Sequence, residues 1–64
     1  MLEQFHVDTM DLGQEIANYC ERYKVREVNL YGNANYLIET AKQIKQAEKF
    51  KYGSDTIEVS IKPV

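Results

Sequence analysis

The sequence predicts a small α/β domain in the order β-α-β-α-β, a three-stranded sheet with two helices on one face. Two observations carry that prediction. Val25-Arg26-Glu27-Val28-Asn29-Leu30-Tyr31 and Thr56-Ile57-Glu58-Val59-Ser60-Ile61-Lys62 alternate apolar with polar or amphipathic residues, the period of a half-buried strand. Between them a Gly-Asn turn opens a stretch rich in good helix formers, so Val25 to Lys62 reads as one β-α-β unit.

Leu2 to Val7 supplies the first strand, with Phe5 and Val7 on one face. Asp8 or Thr9 can cap the helix that follows, and Asp8 with Asp11 places two carboxylates near its positive end. Leu12, Ile16, Tyr19, Cys20 and Tyr23 follow the spacing of a buried helical stripe. Gly13 within this helix costs up to ~1 kcal/mol relative to alanine, which close packing at the first turn would explain. Lys24 ends the helix, and Val25 or Arg26 opens the second strand.

In the turn Gly32-Asn33-Ala34-Asn35 either asparagine can cap the second helix. Leu37, Ile38, Ala41, Ile44 and Ala47 form its apolar stripe, which Phe50 extends. Gly53 supplies a left-handed stop after Lys51 or Tyr52, Ser54-Asp55 completes the turn, and Pro63 closes the last strand.

Each strand has one strongly apolar face: Phe5 and Val7; Val28 and Leu30; Ile57, Val59 and Ile61. Right-handed crossovers put both helices on one side only if the strands advance in one direction, so an all-parallel sheet has the order 1-2-3. The opposite face then shows Gln4, His6, Glu27, Asn29, Tyr31, Glu58, Ser60 and Lys62. Parallel sheets are normally covered on both sides. Either that polar face docks onto something, or one strand runs antiparallel.

The 64 residues are read as a single domain, 1–64. A chain this short buries only roughly 60% of its unfolded surface, and small domains are commonly helped by disulfides, metals or self-association. With one cysteine, Cys20, and one histidine, His6, an internal disulfide is impossible and a Cys/His zinc site is nearly excluded. Self-association is the remaining aid, set against an unaided monomer. No apolar run approaches the ~20 residues of a membrane span, no secretory leader is apparent, and the lone cysteine suits the cytosol.

The net charge is −2, unevenly spread. Lys42, Lys45, Lys49 and Lys51 stand against Glu48 alone between residues 41 and 52. That is a weak version of a nucleic-acid footprint, and a solvated helix face with lysines complementing the dipole explains it better.

Four features invite chemistry. Gly32, Asn33, Ala34 and Asn35, between a strand and a helix, can offer backbone N–H groups to an anion or nucleotide phosphate. They lack both the dinucleotide glycines and the Gly-Lys-Ser/Thr ending of a P-loop, and turning plus capping accounts for them. His6, Asp8 and Asp11 cluster in sequence without a further group to complete a metal or acid–base site. Cys20 falls on an apolar stripe, where cysteines are commonly inert. Tyr31, on the polar sheet face with Asn29, Glu27 and Glu58 around it, is the candidate protein interface, since tyrosine offers large area with a polar tip.

The resulting expectation is a cytosolic, non-catalytic protein-binding or regulatory domain, self-associating, with neither cofactor nor metal. Its size is common among regulators, subunits and phage-encoded inhibitors of host enzymes. The alternative is a module holding an anion or nucleotide at Gly32–Asn35. Nucleic acid and membrane are not the expected partners.

Overall fold

The computed structural model describes residues 2–64. Strand β1 (Leu2–Val7), helix α1 (Gly13–Tyr23), strand β2 (Glu27–Gly32), helix α2 (Ala34–Ala47) and strand β3 (Glu58–Pro63) follow in that order. A single π-helical turn, Glu48–Tyr52, prolongs α2. All three strands are parallel in the order β1-β2-β3, so β2 is central and both crossovers advance in one direction. The body measures 30 × 22 × 14 Å, thin along one axis because one helix layer covers one sheet.

Val7, Val28, Leu30, Ile16, Ala17, Cys20, Leu37 and Ile44 are buried in one core between the helices and the sheet, with Val25 and Ile57. Val25 and Ile57 are fully packed although they precede β2 and β3, so each strand begins later than alternation alone predicts. Both are the last apolar residues of a connection, and burial carries the pattern past the end of strand pairing.

The predicted stripes are right in their centres and wrong at their ends. Ile16 and Cys20 are buried, but Tyr23 is exposed at the last turn of α1. In α2, Leu37, Ile44 and Ala47 are buried, Ile38 faces solvent, and Thr40 takes the interior position in its place. Phe50 lies 79% exposed instead of extending the stripe. The π-helical turn inserts an extra residue into the helical repeat, which turns Glu48 inward and carries Phe50 out.

Asp8 and Thr9 do not cap α1, which begins at Gly13 with Leu12 as an N-cap that makes no side-chain hydrogen bond. Gln43 of α2 does that work. The Gly13 N–H donates to Gln43 Oε1 at 3.0 Å, and Gln43 Nε2 donates to the Met10 carbonyl at 2.9 Å. A side chain at Gly13 would collide with Gln43 Cβ and come within 2.9 Å of the Thr40 carbonyl. The glycine therefore sets how closely the two helices approach.

Gly13→Ala should lower the free energy of unfolding by about 1–3 kcal/mol despite the better helix propensity of alanine, because the added methyl overpacks the α1–α2 contact. Urea denaturation checks this; equal or greater stability would mean the helices can separate freely. Thr40 Oγ1 is buried without a hydrogen-bond partner among the described residues. Thr40→Val removes that unsatisfied hydroxyl and should raise stability by roughly 1 kcal/mol in the same measurement.

Candidate functional site

The strand register builds the uncovered face row by row. Leu2, Glu27 and Glu58 form the first row, Gln4, Asn29 and Ser60 the second, and His6, Tyr31 and Lys62 the third. Successive side chains of a strand point to opposite faces, so these nine share the side away from the helices. All are exposed except Asn29 and Tyr31, which are half-buried by their neighbours on the central strand. The structure thus brings Tyr31, Asn29, Glu27 and Glu58 onto one surface. Asn29 occupies its middle, and Tyr31 stands one row toward the C-terminal ends of the strands.

This face is polar and shallow. Gln4, Phe5, His6 and Tyr31 line an open depression of about 480 Å³. Glu27 and Glu58 are direct neighbours, a like-charge pair that weakens the sheet edge locally and leaves an acidic end to the face. His6 and Lys62 flank Tyr31 at the other end. Among the described residues no three histidine, cysteine, aspartate or glutamate side chains gather as a metal-binding set, and Asp8 and Asp11 are solvent-exposed.

The strand-to-helix turn has a structural account. Asn33 is the N-cap of α2, and its Oδ1 accepts from the Asn35 N–H at 2.9 Å. Gly32 has φ 147°, and a side chain there would run into the Val7 carbonyl of β1. Glycine is thus required by the neighbouring strand, and asparagine by the helix end. Cys20 is fully buried, and burial pushes its thiol up to about 11, which keeps it protonated and unreactive.

The lysine-rich end of α2 is organised around an acid that sequence reading placed in solvent. Glu48 is completely buried. Its Oε2 accepts from the Thr56 N–H, from the Ile57 N–H at 3.0 Å, and from the Ser54 and Thr56 hydroxyls, each at 3.1 Å. Its Oε1 faces Lys45 Nζ at 3.2 Å, and that ammonium also meets Asp55 Oδ1 at 2.6 Å and the Ile57 carbonyl at 2.9 Å. Burial alone would raise the Glu48 pKa. The donated Thr56 and Ile57 N–H groups, with Lys45 and Ser54, outweigh it and hold the carboxyl at about 2. Asp55, with Glu48, holds Lys45 above the ordinary lysine range. Lys51 is also engaged, donating to Asn18 Oδ1 at 3.0 Å, so two of the four lysines, Lys45 and Lys51, are tied into contacts within the fold. The signal for this network is the donor-rich run Ser54-Asp55-Thr56 shortly after Glu48, legible only once the turn at Gly53 folds it back.

Comparison with protein-family models, with curated proteins and with solved structures found no match.

Because the folded pKa of Glu48 lies below its ordinary 4.5, its contribution is complete above pH 4.5 and is lost as pH falls toward 2. The shift corresponds to roughly 3 kcal/mol. Glu48→Gln should lose about that much at neutral pH, and its stability deficit against the parent should shrink between pH 4.5 and 2. Denaturant midpoints measured for both proteins across that range test this; a deficit independent of pH would assign the loss to packing alone.

Proposed function

We propose that this chain is a small non-catalytic protein-binding or regulatory domain that self-associates and works through the uncovered side of its sheet. The observation that supports this is the all-parallel three-stranded sheet with one face bare. Such sheets are ordinarily covered on both faces, and this one has helices on one only. The bare face offers a half-buried tyrosine, a residue type enriched in protein interfaces, beside a half-buried asparagine, with polar and charged residues around them. Glu27 and Glu58 at one end and Lys62 with His6 at the other give it a polarity that a complementary protein surface would read.

The reading needs no cofactor or metal and gives no part to nucleic acid or membrane. No helix among the described residues is long and apolar enough to cross a membrane. A single buried thiol suits a reducing compartment, and the cytosol is the location that goes with this reading. Association with a second copy would supply the additional burial that a domain of this size otherwise lacks.

Sedimentation at increasing protein concentration should show the mass rising from one copy toward two. A mass that stays at 7.5 kDa up to the solubility limit would remove self-association and leave the bare face as a site for a different protein alone.

A further inference from the structure

The two edges of the sheet are chemically different. The Glu58 N–H donates to the Arg26 carbonyl at 2.8 Å, and the Val64 N–H donates to the Gly32 carbonyl at 3.0 Å. In a strand the N–H and C=O of one residue point to the same side, and the side alternates along the chain. Glu58, Ser60 and Lys62 therefore address β2, while Val59, Ile61 and Pro63 address the outer edge. That edge is closed at both ends. Ile57, the preceding outward residue, has its N–H on Glu48 Oε2 and its carbonyl on Lys45 Nζ. Pro63 has no N–H to offer. Only Val59 and Ile61 keep both groups.

The same alternation turns Glu27, Asn29 and Tyr31 of β2 toward β1, so the outward residues of β1 are Leu2, Gln4 and His6. No hydrogen bond among the described residues reaches their outward groups. β1 contains neither proline nor lysine, the residues that commonly protect an edge. The aromatic row Phe5, Tyr19 and Tyr23 runs along this margin with ring centroids 5.6 and 4.7 Å apart, and it ends in a Tyr23 that is half exposed.

We propose that β1 pairs antiparallel with β1 of a second copy, about a two-fold axis at Gln4, to make one continuous six-stranded sheet. This rests on the self-association proposed above and assigns it to one edge. The occupant follows from the register. A two-fold at Gln4 sets Gln4 opposite Gln4 of the second copy and Leu2 opposite its His6, and each pair exchanges both backbone hydrogen bonds. On the helix side Glu3 falls opposite Phe5 of the second copy. No like charges stand directly opposite; the two Glu3 side chains approach only on the diagonal, where the separation is about 7–8 Å. Shifting the register by two residues loses at least one of these pairs. The axis is perpendicular to the sheet, so both helix layers lie on one side and the two bare faces join into one surface twice as wide. Self-association then uses the edge and leaves the face free for a different protein.

Amide hydrogen exchange followed by NMR at low and high concentration tests the edge directly. The Gln4 and His6 amides should slow by ~10-fold or more as the protein associates, while Val59 and Ile61 stay unchanged. Gln4→Pro removes an outward donor without breaking a bond to β2, and it should remain monomeric by sedimentation. Tyr31→Ala should dimerise as the parent does. Slowing at Val59 and Ile61 instead would overturn the assignment to β1. So would a dimer that survives Gln4→Pro but is lost in Tyr31→Ala, and that result would keep self-association while moving it to the face. A parent protein monomeric at all concentrations would remove the edge pairing together with the self-association it rests on, and would leave the bare face as a site for a different protein. Should Gln4→Pro fail to fold, the exchange pattern of the parent still decides.

Discussion

The geometry of β3 depends on one buried carboxylate. Glu48 leaves the end of α2 through a π-helical turn and takes donors from Ser54, Thr56 and Ile57, the residues that carry the chain back to the sheet. A carboxylate accepts only, and this one meets enough N–H, O–H and ammonium donors to stay charged while fully shielded from water. The connection that starts β3 is thereby tied to the helix before β3 begins. Without that carboxylate, the Ile57 N–H would lack its partner just where the residue enters the core.

That network also shapes the periphery. By occupying the outward groups of Ile57, Glu48 and Lys45 protect the beginning of the β3 edge, and Pro63 protects its end. β1 has no such protection, and its outward residues are exposed. The bareness of one face has a separate origin. Two crossovers that advance in one direction place both helices together, which leaves one face uncovered and two strands at the margins.

Much of this fold was legible in the residues. Period-two alternation placed the strands, period-3.6 stripes placed the helices, and Gly53 marked the end of the second helix, where φ is 65°. The four residues of the candidate face, Tyr31, Asn29, Glu27 and Glu58, do share one side, because alternation is a local property of extended chain. Helix ends were less legible. Gly13 reads as a flaw in a helix, and its reason is Gln43, thirty residues away. Phe50 reads as core because 3.6 periodicity is assumed to continue, and a π-turn interrupts it.

The sequence by itself determined the element order, the one-sided apolar pattern and the absence of any internal disulfide, since these follow from local periodicity and from counting a single cysteine. Tertiary structure alone decided that all strands are parallel, that Glu48 is interior, that α2 caps α1, and which edge of the sheet is left open. Each of these depends on which distant groups meet. A glutamate flanked by lysines on a helix has the same local signature whether it faces water or a folded-back turn. Only the position of the Ser54–Ile57 donors decides between them, because burying the charge without those donors would cost more than the fold could supply.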